Sequence, residues 1–277
     1  MRLGLVRYLN ARPLDYGFRL RAASENELIL QEDTPARLYA DLEAGRLDAA
    51  LISSVECLRN RHRFGFCQSV GVCAHHQVDS IVYLQRRVND RGDESESTPT
   101  GRLYVDSGSR SSVALLQILF QRSFPDIRIQ LHVCPPEKIP RQLQPGDGGL
   151  LIGDSALEFT RSTSARDYQI TDLATWWHKL ENLPFVFALW AYPLNKPIAD
   201  EFFEQSLAVG QSNMDHIVAD AGALLSLTEA RRYLTATLHY KLTEEDRRSL
   251  VRFEELLTRY HLSGDADSQS GARSTQY

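Results

Sequence analysis

The sequence predicts an α/β protein of two lobes with a ligand cleft between them, and three observations predict it. Strand-like and helix-like segments alternate from Leu3 to Ser53. The alternation restarts at Arg102, after a charged, turn-rich stretch. From Ile198 onward the pattern turns helical. Leu3–Tyr8 reads as a strand, Arg12–Arg21 as a short helix opened by Pro13, and Leu28–Leu30 as a second strand. Thr34 is an N-cap with Pro35 in the first turn of a helix over Ala36–Ala44, and Gly45 stops it. Asp48–Ser53 is a third, buried strand, and the βαβαβ rhythm implies a parallel sheet with right-handed crossovers. Phe66–Ala74 and Ser80–Gln85 read as two further strands. Arg86 to Pro99 is polar, charged and rich in turn residues, which predicts a surface loop at Gly92–Pro99. In the second unit Leu103–Asp106, Ile127–Val133 and Gly149–Ile152 are strands, and Ser111–Arg122 is a helix. Tyr168–Ile170 and Pro184–Leu189 follow as strands, with a helix over Trp176–Leu180 between them. Four helices are expected at Ile198–Gly210, Met214–Leu225, Leu227–Tyr240 and Glu244–Tyr260, ahead of a polar tail.

Composition removes several classes of function. The 277 residues carry 31 Lys and Arg against 36 Asp and Glu, a formal charge of −5. That balance argues against bulk binding to nucleic acid or an anionic membrane, while leaving room for a local cradle for a small anion. The apolar run from Met1 to Tyr8 is cut by Arg7, short of the about 7–15 apolar residues of a secretory signal. Nor does any stretch approach the roughly 20 apolar residues of a membrane span. A cytoplasmic location is expected, with Cys57, Cys67, Cys73 and Cys134 as free thiols. Cys67 and Cys73 lack CxxC spacing. His75 and His76 lie near them, but Gly71–Ala74 reads as buried strand, so no metal is expected.

Four segments place polar groups at strand ends, where an open α/β sheet presents its ligand-contacting atoms. Tyr8-Leu-Asn-Ala-Arg-Pro-Leu14 runs from strand into helix; Asn10 either caps that helix or faces a ligand. Asp106-Ser-Gly-Ser-Arg-Ser-Ser112 is a second strand–turn–helix, whose hydroxyls and backbone N–H groups suit a carboxylate or simply cap the helix. It has neither the G-x-S-x-G spacing of a nucleophile elbow nor the G-K-[ST] of a P-loop. Leu151–Ala156 is a buried strand ending in Gly153 and Asp154. Leu183–Trp190 is aromatic enough to be core or to wall a small ring-shaped ligand.

Taken together, Tyr8-Leu-Asn-x-x-Pro-Leu14, Asp106-Ser-x-Ser-Arg110-x-Ser112, Ile152-Gly-Asp154, Asp172-Leu-x-x-x-Trp177 and Leu183-Pro-Phe-Val-Phe-Ala-x-Trp190 resemble the menaquinone-biosynthesis family of the futalosine route. The resemblance spans roughly residues 3–262. It implies a two-lobed, periplasmic-binding-protein-like (type II) fold, with lobe 1 formed by 1–86 and 188–262, lobe 2 by 87–187, and a tail at 263–277. Within the family the motifs resemble the branch that dehydrates chorismate to 3-[(1-carboxyvinyl)oxy]benzoate. A sister branch, the dihydroxynaphthoate synthases, carries a catalytic His where this chain reads Gly153–Asp154. The resemblance makes Asn10 catalytic and Ser80, Ser111, Ser112, Gly153 and Asp154 substrate-binding, with a small-molecule substrate and no cofactor. One departure is Ala74-His-His-Gln-Val-Asp-Ser80, where the family has a Gly-rich approach to the serine.

That reaction removes a ring proton and a hydroxyl, so donors that stabilise charge on the ring carboxylate would lower its barrier, a task suited to Ser111 and Ser112. None of the five motifs holds a His or Lys to serve as base. Either the substrate's side-chain carboxylate, oriented by Asn10, takes the proton, or Asp154 or His75/His76 does. The rival class is a small-anion binding or sensing protein without catalysis, which the same fold allows.

Overall fold

The structure is a computed structural model that describes residues 1–24, 27–87, 98–106, 108, 110–222 and 224–263. Ser107 and Ser109 lie outside the described residues, as do most of the expected 92–99 loop and all but the first residue of the expected tail. In chain order, β1 (Arg2–Val6) leads through a 3-10 turn at Leu9–Ala11 into α1 (Arg12–Ser24), β2 (Ile29–Asp33), α2 (Pro35–Glu43), β3 (Ala49–Ser53) and α3 (Ser54–Arg59). Next come β4 (Phe64–Ala74), β5 (Ile81–Arg86), β6 (Arg102–Val105), α4 (Arg110–Ser123), β7 (Gln130–Val133), α5 (Ile139–Gln142) and β8 (Gly148–Ile152). They are followed by α6 (Gly153–Arg161), β9 (Tyr168–Asp172), α7 (Leu173–Glu181), β10 (Phe185–Pro193), α8 (Asp200–Ser212) and α9 (Met214–Asp220). α10 (Leu227–Arg232), a π-helical turn at Tyr233–Thr237, β11 (Leu238–Lys241) and α11 (Glu244–Arg259) complete the described elements.

Two sheets result. The first has the order β11-β4-β10-β3-β1-β2 and the second β7-β6-β8-β5-β9. β1 pairs in parallel with β2 and β3, as the βαβαβ rhythm predicts, and β6 pairs in parallel with β7 and β8. Each sheet also takes in one antiparallel strand that arrives directly after the chain has crossed from the other. β5 enters between β8 and β9, and β10 enters between β3 and β4. By strand pairing, 81–86 belongs to the second sheet and 185–187 to the first. We propose that the lobes divide at the two crossing segments, 75–80 and 182–184. Both inserted strands are almost wholly buried runs, so residue pattern alone carries no sign of which sheet receives them.

The C-terminal helices pack on the first lobe. α8 crosses α1 so closely that a Cβ on Gly210 would lie 2.1 Å from the Pro13 carbonyl oxygen. Ser206 accepts from Phe18 N–H (3.2 Å) and donates to the Leu14 carbonyl (2.8 Å), so its buried hydroxyl ties the two helices. Phe18 meets Trp190 edge-on and Phe203 stacks on Trp190 at 5.1 Å, joining helices to sheet through β10.

Leu227–Tyr240 is not one helix. The chain leaves α10 through the π-turn and pairs as β11 with the edge of β4. Leu238 and Tyr240 point inward while Lys241 is exposed, a period of two over too few residues to outweigh the helix formers before it. The helices α3 and α6 carry no sequence signal of their own, because each starts at the residue directly after a strand, with no intervening loop.

Candidate active site

The strands of both sheets end at one cavity. Val6 and the adjoining Tyr8 and Asn10 come from the β1 end, Ser53 from the end of β3, and Ile152 and Gly153 from the end of β8. Phe187 and Ala188 of β10 form an apolar wall, so the aromatic run Leu183–Trp190 is core at Phe185 and Trp190 and cavity wall between them. The space is tight in this structure: about 30 Å³ is open to a water-sized molecule, against roughly 300–1,000 Å³ in open small-molecule sites. α3 and α6 begin at the residues after Ser53 and Ile152, which brings the positive ends of two helices to this end of the sheets, with the Val55 and Gly153 N–H groups already engaged by Ser111 and Ser80.

Asn10, Ser80, Gly153 and Asp154 are brought together. Gly153 has φ +59°, and its N–H donates to the Ser80 carbonyl at 2.7 Å, joining the end of β8 to the first crossing segment. Asp154 accepts the Leu9 N–H at 3.1 Å, so the second lobe holds the turn that presents Asn10. Burial raises the Asp154 carboxyl above the usual range, and burial together with Asp106 pushes the Tyr8 hydroxyl up to about 12. Among the described residues that line the cavity, Tyr8 is the titratable one, and it is neutral at ordinary pH.

Three buried hydroxyls here have no hydrogen-bond partner among the described residues: those of Ser53, Ser80 and Tyr233. Tyr233 opens the π-turn, and its hydroxyl lies close to Ser80 and Asn10 without completing a hydrogen bond to either. Such orphaned groups cost stability, of order 1–3 kcal/mol each, and are available to a bound molecule. Neither Ser53 nor Tyr233 stands in a motif that marks it from sequence. For Tyr233 the signal is the π-turn itself, a backbone irregularity that frequents functional sites and has no residue signature.

Ser111 and Ser112 sit apart from the cavity lining, fully buried in the first turn of α4. The Ser111 hydroxyl accepts the Val55 N–H at 3.0 Å and shares a hydrogen bond with Ser54, whose hydroxyl donates to the Val186 carbonyl. Beside it Arg110 of the second lobe reaches the fully buried Glu56 of the first at 3.2 Å. We therefore propose that Ser111 latches the lobes. Ser111→Ala is expected to lower stability by about 1–3 kcal/mol, by leaving the Val55 N–H unpaired. Urea unfolding measures this, and a change below the experimental error would remove the latch.

His75 and His76 are exposed and absent from the cavity lining; His75 stacks on His239, and His76 meets His178 edge-on. The segment that follows them is held by Asp172, which accepts N–H groups from Val78 (3.0 Å), Asp79 (2.8 Å) and Thr175 (3.0 Å). That carboxylate caps α7 and sets the crossing from which Ser80 projects.

A family model described as menaquinone biosynthesis matches residues 1–259. The chain is 27% identical to the chorismate dehydratase of Thermus thermophilus, over 92% of this chain and 94% of that protein. It is 24% identical to the chorismate dehydratase of Campylobacter jejuni, over 89% and 88%. Protein AF1704 from Archaeoglobus fulgidus superposes with a TM-score of 0.71 at 16% identity, covering 94% of this chain and 97% of that one. The alkanesulfonate-binding protein of Xanthomonas axonopodis superposes with a TM-score of 0.63 at 11% identity, covering 96% and 94%. These likenesses establish a periplasmic-binding-protein-like fold. Among the described residues no helix is long and apolar enough to cross a membrane.

Proposed function

The chain belongs to the menaquinone-biosynthesis family, and we propose that it is a hydro-lyase that converts chorismate to 3-[(1-carboxyvinyl)oxy]benzoate and water. The observation that carries the mechanism is the cavity lining: neutral donors, apolar walls, and no carboxylate or imidazole among its described residues. An allylic ring C–H breaks, and its electron pair enters the system conjugated with the ring carboxylate. Orphaned hydroxyls and helix N–H groups stabilise that charge without bringing a counter-charge. The neutral lining favours the substrate's own side-chain carboxylate as proton acceptor, held by Asn10, over Asp154 and the two histidines. The C–O bond then breaks, the hydroxyl leaves with a proton as water, and the ring becomes aromatic. Phe187 and Ala188 pack the ring face. Recognition of a dianion by a chain of charge −5 is local, as the donors sit at helix starts.

Tyr233 acts in this reading as a positioning residue for Asn10 and Ser80. Tyr233→Phe keeps the ring and is expected to lower kcat about tenfold, equivalent to about 1.4 kcal/mol in the barrier. Its thermal midpoint should stay unchanged or rise, because an unpartnered buried hydroxyl is removed. Unchanged kcat would leave Tyr233 a packing residue. We also place the chain in the cytoplasm, as its four free cysteines, three of them buried, fit a reducing compartment.

Incubating the purified protein with chorismate, while following ultraviolet absorbance and product mass, tests the assignment. Loss of one water from the substrate supports it. Chorismate bound but recovered unchanged would instead favour the non-catalytic binding protein.

A further inference from the structure

Strand pairing sets Cys73 of β4 directly opposite His239 of β11, so the two side chains share one face of the first sheet. Asp246, in the first turn of α11, folds over that pair. Each of the three residues offers one ligand-type atom, and these atoms lie within 4.8 Å of one another. Cys73 and Asp246 are fully buried.

The polar accounting at this cluster is one-sided. Asp246 Oδ2 accepts from the Thr243 backbone N–H (2.8 Å) and the Thr243 hydroxyl (2.7 Å), and lies 2.8 Å from His239 Nε2. Its other oxygen, Oδ1, is buried with no partner among the described residues, and so is His239 Nδ1. Among the described residues no Lys or Arg pairs with Asp246, and His239 is its counterpart. A thiol sulfur, an imidazole and a carboxylate oxygen therefore meet where acceptors outnumber donors. A cation satisfies all three at once, where further hydrogen bonding satisfies at most two.

We propose that Cys73, His239 and Asp246 form a binding site for a zinc-type divalent cation. A thiolate, an imidazole and a carboxylate together suit a borderline-soft ion such as Zn²⁺ rather than Mg²⁺ or Ca²⁺. Tetrahedral zinc spaces its donors about 3.3–3.6 Å apart, so atoms that already lie within 4.8 Å reach that spacing by side-chain shifts of about an ångström. Water or His75, exposed and with its ring 4.0 Å from that of His239, completes the coordination. Thr243 already holds Asp246 Oδ2 and so orients the carboxylate, leaving Oδ1 unpartnered among the described residues. The ion fastens the edge strand β11 and the start of α11 to β4. None of these three residues lines the cleft cavity, so the site stands independently of the lyase assignment. Spacing in the sequence does not reveal it, because Cys73 lies far from both partners and its sequence neighbours His75 and His76 are not the other two ligands.

The test uses the full chain, stripped with a chelator and titrated with Co²⁺ as a spectroscopic probe. One equivalent should produce a thiolate-to-cobalt charge-transfer band with intense visible bands of a tetrahedral site, and Zn²⁺ should displace it. The charge-transfer band should be lost in Cys73→Ala and retained in Cys67→Ala, which removes a neighbouring cysteine outside the cluster. Asp246→Asn should weaken Co²⁺ binding at least tenfold, with circular dichroism confirming the fold. No stoichiometric band in the folded wild-type chain, or a charge-transfer band that survives in Cys73→Ala, would overturn the proposal.

Discussion

Asn10→Ala is expected to leave the protein folded while kcat for chorismate falls by about 10²–10³, the usual effect of removing a positioned donor where charge develops. The turn that carries Asn10 does not depend on its side chain. It is closed by the backbone bond from Ala11 N–H to the Tyr8 carbonyl at 3.1 Å and anchored by Asp154 on the Leu9 N–H. Alanine suits a 3-10 turn leading into a helix, so a melting curve near that of wild type separates chemistry from folding. If the substrate's carboxylate is the base and Asn10 its holder, the loss falls mainly on kcat, because the misaligned carboxylate still binds. Asp154→Asn and the double change of His75 and His76 provide the comparison, and they should keep turnover within a few-fold of wild type. A large drop in either, with normal turnover in Asn10→Ala, would move the proton to a protein base.

Gly153→Ala should do damage of a different kind. The residue has φ +59°, a region that side-chain-bearing residues enter at a cost, and a Cβ there would lie 2.8–3.1 Å from carbons of the Tyr8 ring. Backbone strain and overpacking each cost about 1–3 kcal/mol. Relief requires the Tyr8 ring to move, and Tyr8 lines the cavity with its hydroxyl beside Gly108 of the other lobe. Both stability and chorismate turnover are therefore expected to drop, with KM rising as the cavity changes shape. Wild-type urea midpoint and KM in the variant would refute the account of this glycine.

Much of the architecture is legible in the sequence because it follows from local chemistry. Thr34 caps the Arg37 N–H with Pro35 in the first turn, and β1, β2 and β3 pair in parallel as their alternation with helices implies. Asn10 and Gly153 stand out in the sequence as residues that follow strands, where an open α/β sheet presents its ligand-contacting atoms, and both line the cavity. The rest depends on contacts distant in the chain. β11 exists because the edge of β4 is there to pair with it, and Tyr233 reaches the site through a π-turn beyond that edge. The Ser-rich turn illustrates the converse. Its composition suits an anion, yet Ser111 is engaged by Val55 and Ser54 of the opposite lobe, and composition cannot tell a ligand from a neighbouring helix.

The insertion of β10 between β3 and β4 has a consequence for the order in which the chain acquires structure. Until residues 185–193 have been synthesised, β3 and β4 have no common neighbour, and the first sheet is a three-stranded fragment with β4 unattached. By then every strand of the second sheet has already emerged. The lobe that begins the polypeptide is thus the later one to close, and its central pairings span more than a hundred residues, which slows folding through the entropy of loop closure. Chains interrupted before Phe185 would expose the apolar edges of β3 and β4 together, making them substrates for chaperones and proteases rather than half-active enzymes.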